Sequence, residues 1–107
     1  MAKRLVDLEH LKWVATKPCM ICNKRPVQVH HLLKPYDGVR GMGRKSGDNN
    51  VIPLCYHHHA ELHTKFGSEK LFFDKYWRNE HAGKILAEDL YKQSLYIRNN
   101  DDNELPF

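Results

Sequence analysis

The chain has 107 residues, enough for one compact domain, and its 41% hydrophobic, 28% charged and 10% aromatic content excludes the polar signature of disorder. There is no 18-residue apolar run and Met1 to Lys12 is too charged for a signal-peptide core, so a cytoplasmic protein without a membrane segment is expected. The formal charge is +4, but Asn99 to Phe107 hold Asp101, Asp102 and Glu104 with no base. The remainder carries 17 Lys and Arg against 10 Asp and Glu, a net +7 that suits a polyanionic partner.

Leu5, Leu8, Leu11, Val14 and Ala15 recur at helical steps, predicting an amphipathic helix over 7–16 that Lys17-Pro18 ends. Cys19-Met20-Ile21-Cys22 is a tight C-x2-C turn. Val27, Val29 and the pair His30-His31 predict a short strand with the histidines at its end. From Lys34 to Asn50 a loop holds five breakers, Pro35, Gly38, Gly41, Gly43 and Gly47, among the basic residues Lys34, Arg40, Arg44 and Lys45. Val51 to Leu54 form a second brief strand, which Pro53 confines to an edge or a terminus.

Cys55 to Lys65 contain no breaker and predict one helix ended near Gly67. Ser68 caps a third helix, where Glu69 suits the N-terminal dipole and Leu71, Phe72, Phe73 and Tyr76 supply the buried face. Gly83 separates it from a last helix carrying Ile85, Leu86, Leu90, Tyr91, Leu95 and Ile97 and ending before Asn99. The fold class is thus α+β in a single domain over 1–107: a core over about 17–67, C-terminal helices over about 68–98 and a frayed acidic tail. Trp13, Trp77, Tyr76, Phe72 and Phe73 belong to the core, and His10 and His81 to the surface or a satisfied interior.

Three cysteines cannot close a disulfide framework, but Cys19, Cys22 and Cys55 with His58 form two ligand pairs fit for tetrahedral Zn2+. The pairs have 32 residues between them, so the ion clamps a larger insert rather than a stand-alone finger. A redox C-x2-C would leave Cys55 and His58 unexplained and lacks its βαβ context. His59 and His63, four apart on the predicted helix, share a face that could hold a second cation, while His58 points about 100° away. Adjacent strand residues His30 and His31 face opposite ways, so one can ligate while the other does different work. A surface chelator built on His57, His58 and His59 would leave His30, His31 and the Asn pair idle.

Val29-His30-His31, then Asp48-Asn49-Asn50 and the run Val51 to His59, resemble the zinc-supported version of the HNH, or ββα-metal, endonuclease family. The likeness spans about 19–65, with His58 in place of the more usual fourth cysteine. The offsets of nine and thirteen residues from Asn50 to His59 and His63 are similar to the colicin nuclease branch, and phage-encoded members of the recombination-enhancement-function type are similar as well. The resemblance implies a ββα-metal core with a structural zinc knuckle. It implies that His31 is the general base and that His30 and His59 ligate a catalytic divalent ion (Mg2+, Mn2+, Ni2+ or Zn2+), with His63 a further ligand.

Asn50 would be the middle residue, holding the loop by side-chain bonds to backbone and so orienting His31; Asn49 is its rival. Asp48 would brace the same turn or serve only as an Asx-turn residue, and His57 takes no role. Lys34, Arg40, Arg44 and Lys45 would follow phosphates with little sequence preference. The implied substrate is single- or double-stranded DNA, hydrolysed to 5′-phosphate and 3′-hydroxyl ends by a monomer or dimer. A recombinase or other phage DNA-processing protein is the implied partner. The rival function is a catalytically silent, zinc-stabilised nucleic-acid-binding module.

Overall fold

The computed structural model describes residues 4–38 and 45–99. Asp7 accepts a hydrogen bond from the His10 amide and so caps α1 (Leu8–Val14). The chain then turns through the cysteine knuckle into β1 (Val27–His31), which pairs antiparallel with β2 (Val51–Cys55). The register sets Val27 opposite Cys55, Val29 opposite Pro53 and His31 opposite Val51. In a two-stranded sheet both strands are edges, which is why Pro53 is tolerated mid-strand. Its carbonyl accepts the Met20 amide at 3.0 Å and ties the knuckle to the sheet.

β2 runs directly into α2 (Tyr56–Glu61), which continues as a π-helical turn over Leu62–Phe66 and closes on Gly67 at φ +64°. The expected single helix is therefore two geometries in series. α3 (Glu69–Trp77) is capped by the Ser68 side chain, and α4 (Ala82–Asn99) completes a small α+β fold of two strands and four helices. No helix among the described residues is long and apolar enough to cross a membrane.

The core gathers Cys19, Leu32, Ile52, Leu54, Leu62, Phe72, Phe73 and Ala87 between the sheet and the C-terminal helices. Several helix faces depart from expectation. Leu5 and Leu8 are exposed, and α1 buries His10 and Val14 instead, because only one narrow side of this short helix meets α4 and β2. On α3 the buried face is Glu69, Phe72 and Phe73; Leu71 and Trp77 are exposed on the other side. Gly83 does not separate helices but lies in the first turn of α4. It is buried against Phe73, whose ring a Cβ there would meet at 2.5 Å. The inward stripe of α4 is Gly83, Ala87, Leu90 and Ser94; the small side chains at Gly83, Ala87 and Ser94 let the helix approach closely, and Ile85 and Ile97 are left to solvent.

Candidate metal centre

Among the described residues, two groups of side chains could hold a metal ion, and α2 contributes to both. The first is Cys19, Cys22, Cys55 and His58, the predicted knuckle. Cys22 Sγ lies 3.6 Å from Cys55 Sγ, and His58 Nδ1 lies 3.2 Å from Cys55 Sγ and 3.8 Å from Cys19 Sγ. Tetrahedral Zn2+ with Zn–S of about 2.3 Å and Zn–N of about 2.0 Å separates neighbouring ligand atoms by about 3.5–3.8 Å, so these atoms sit close to where one ion could hold them. The Ile21 amide donates to Cys19 Sγ at 3.4 Å, which suits a thiolate. Burial pushes the Cys19 thiol up, but bonds from neighbouring amides outweigh it and the net shift is down.

The second group is His30, His59 and His63. His59 Nε2 lies 3.2 Å from His30 Nδ1 and 3.1 Å from His63 Nε2. The outer nitrogens of two rings are already engaged: His30 Nε2 with Glu69 Oε2 at 2.8 Å, and His59 Nδ1 with Gln28 Oε1. Carboxylate and amide oxygens only accept, so both of those nitrogens carry the proton. The lone pairs of His30 Nδ1 and His59 Nε2 consequently face each other across 3.2 Å with no proton between them, a donor set that fits a cation. Burial and the neighbouring His30 and His63 push the His59 pKa down to about 4, which keeps that ring neutral as a ligand must be.

The adjacent His31 has a separate environment. Its Nε2 donates to Asp48 Oδ1 at 2.8 Å, leaving Nδ1 as an acceptor. Asp48 is itself buried, and its oxygens also take Arg4 Nη1 and the Asp7 amide, each at 2.7 Å. Burial lowers the His31 pKa, with the Lys45 charge adding to the effect and the Asp48 bond opposing it; the net direction is down. Asp48 thus does more than shape a turn.

Asn50 is fully buried; its Oδ1 accepts the Tyr36 amide at 2.8 Å, its Nδ2 donates to Asp37 and Asn49, and its carbonyl accepts the Leu32 amide. These bonds hold the loop after β1, and none of them goes to His31. Asn49 shares the task, donating to the Tyr36 hydroxyl and to Asp37.

Glu69, Gln28 and Arg4 are the site residues that sequence reasoning missed. Glu69 reads in sequence as a helix-dipole residue, and nothing local marks Gln28 or Arg4. His57 is exposed and belongs to neither group, and His81 lies at the surface beside Glu80. His10 is buried but not satisfied: neither ring nitrogen has a hydrogen-bond partner among the described residues. Lys34 and Lys45 are exposed, whereas Arg40 and Arg44 lie outside the described residues.

No solved structure matches the chain. A relative from Escherichia coli (strain K12), described as uncharacterized protein YdfU, is 42% identical over 74 residues, 69% of this chain and 20% of the relative. The chain thus spans about a fifth of the length of that curated relative. Residues 2–85, which include both ligand groups and His31, match a family described as protein of unknown function (DUF968), and the chain belongs to that family.

Proposed function

We propose that the chain is a metal-dependent endonuclease of the HNH, or ββα-metal, type that hydrolyses DNA phosphodiester bonds with little sequence preference. The observation that carries this reading is the convergence of three imidazole nitrogens from β1, α2 and the π-helical turn that continues it, with outward-facing nitrogens of His30 and His59 tied to oxygen acceptors. The order β1, β2, α2 supports it, because Cys55 at the end of β2 and His58 in α2 belong to the Cys19, Cys22, Cys55 and His58 group, which ties the strand and helix beside these ligands together. A basic body of net +7 suits the substrate.

His30, His59 and His63 would hold the divalent ion, which when bound would supply positive charge to the scissile phosphate and its departing 3′ oxygen. His31 takes the proton of the attacking water on Nδ1, since Nε2–H is committed to Asp48. The Asp48 carboxylate then faces the imidazolium and stabilises it. Asn50 keeps the chain after β1 in place through the Tyr36 amide, and Lys45 lies close enough to lower the His31 pKa and to meet a neighbouring phosphate. An all-imidazole set favours Zn2+ or Ni2+ over Mg2+.

Supercoiled plasmid and single-stranded circular DNA, incubated with the zinc-loaded protein and Mg2+, Mn2+, Ni2+ or EDTA, test the reading. Cleavage in the presence of an added ion and none in EDTA is expected. Tight, salt-sensitive DNA binding with no cleavage under any ion would overturn it in favour of a silent binding module.

A further inference from the structure

Glu69 stands outside the β1, β2, α2 unit, in the first turn of α3, yet its carboxylate is buried beside the three-histidine group. Oε2 lies 2.8 Å from His30 Nε2 and accepts the Leu33 amide at 2.7 Å, and Oε1 accepts the Lys34 amide at 3.2 Å. Every one of these contacts requires an acceptor on the glutamate. A dipole-capping role asks for none of them and would leave the side chain in solvent.

The consequence falls on His30. A neutral imidazole carries one proton, and two arrangements compete for it. With the proton on Nδ1, His30 would donate to His59 Nε2 across the 3.2 Å gap, and a histidine-to-histidine hydrogen bond would fill the place of the ion. With the proton on Nε2, the bond goes to Glu69 and Nδ1 presents a lone pair. A carboxylate is the stronger acceptor, so the second arrangement prevails.

We propose that Glu69 is a positioning residue of the three-histidine centre: it commits His30 Nδ1 to metal and, through Leu33 and Lys34, anchors the chain leaving β1 to the same carboxylate. The proposal rests on the metal-binding part of the reading above and extends the working unit to α3, so that residues beyond the β1, β2, α2 unit are needed for a competent site. Metal loading and the placement of Lys34 at the start of the basic loop are thereby coupled.

The test is a Co2+ titration of the full-length protein with its knuckle already zinc-loaded, followed by the d–d absorption of a site with nitrogen ligands. Thiolate charge-transfer bands report any exchange at the knuckle. Glu69→Gln turns one acceptor oxygen into a donor facing His30 or a backbone amide, and weakens Co2+ binding by about 10–100-fold. Ser68→Ala removes the α3 cap, which donates nothing to His30, and leaves the affinity within about twofold. In the wild type before Co2+ is added, 15N chemical shifts place the His30 proton on Nε2, a readout that needs no variant to fold.

Equal Co2+ affinity in wild type and Glu69→Gln, an equal loss in Ser68→Ala, or a proton on His30 Nδ1 would each overturn the proposal while leaving the metal reading intact. Failure of the wild type itself to bind Co2+ at nitrogen ligands would overturn the metal reading and this proposal with it.

Discussion

Asp48 gives the sharpest single perturbation, because the residue is 1% exposed and its carboxylate receives three donors from two segments, the N-terminal stretch and the end of β1. Asp48→Asn preserves the shape but can present only one oxygen. If that oxygen takes the Oδ1 position, it keeps His31 Nε2 and Arg4 Nη1 and turns its amino group against the Asp7 amide. One buried donor left without a partner costs about 1–3 kcal/mol. Losing the ionic part of the contact with half-buried Arg4 adds at most about 1 kcal/mol. A destabilisation of about 2–3 kcal/mol is therefore expected, and Asp48→Ala, which also frees His31, costs about 1 kcal/mol more. Urea unfolding followed by far-ultraviolet circular dichroism measures both. Single-turnover cleavage should fall by about 100-fold in Asp48→Asn, since the imidazolium formed on His31 loses its anion. A variant within about 0.5 kcal/mol of wild type would refute the inference that this carboxylate holds the N-terminal segment and His31 together.

Other substitutions probe the packing. His10→Leu removes two buried ring nitrogens that lack partners and sacrifices only the contacts with Trp13 and Tyr91, so the urea midpoint should rise, by about 1 kcal/mol in stability; a fall would contradict it. Burial depresses the His10 pKa, so the unfolded chain binds the proton first and wild-type stability drops as pH falls below about 6.5. The advantage of His10→Leu should accordingly widen between pH 7.5 and 5.5, and a constant difference would show that the ring is not held neutral. Gly83→Ala places a methyl against the buried Phe73 ring and should cost about 1–3 kcal/mol despite the better helix former, as read by thermal or urea unfolding. For Asp48, burial pushes the carboxyl up, but bonds from the Asp7 amide, His31 and Arg4 outweigh it and hold it below the usual range. Its stabilisation is thus full above about pH 3.9 and lost as pH falls further, a slope that Asp48→Asn should flatten in acid unfolding curves.

Both ligand groups were legible because their spacing is local chemistry. A C-x2-C turn brings two sulfurs together whatever surrounds it, and residues four apart on a helix share a face, so Cys19 with Cys22 and His59 with His63 needed no tertiary information. The two strands were legible for the same reason, since β-branched residues and the loop breakers between them bracket short segments. What escaped depends on contacts between distant elements. Glu69 reaches His30 across 39 positions and Arg4 reaches Asp48 across 44, and each looks ordinary in its own window. The α4 stripe escaped for another reason. Hydrophobic periodicity weights large side chains, whereas this interface is built from Gly83, Ala87 and Ser94, which earn their place by being small. The same blindness put Leu71 inside, where Phe72 and Phe73 had already filled the space.

The most direct measurement is cleavage of supercoiled plasmid by folded His31→Ala beside wild type, with Co2+ binding at the three-histidine centre measured on both. His31 is tied to Asp48 and belongs to neither ligand group, so the variant should bind Co2+ as wild type does and cut at least about 100-fold more slowly. Cleavage at the wild-type rate would contradict a role for His31 as the base that activates water.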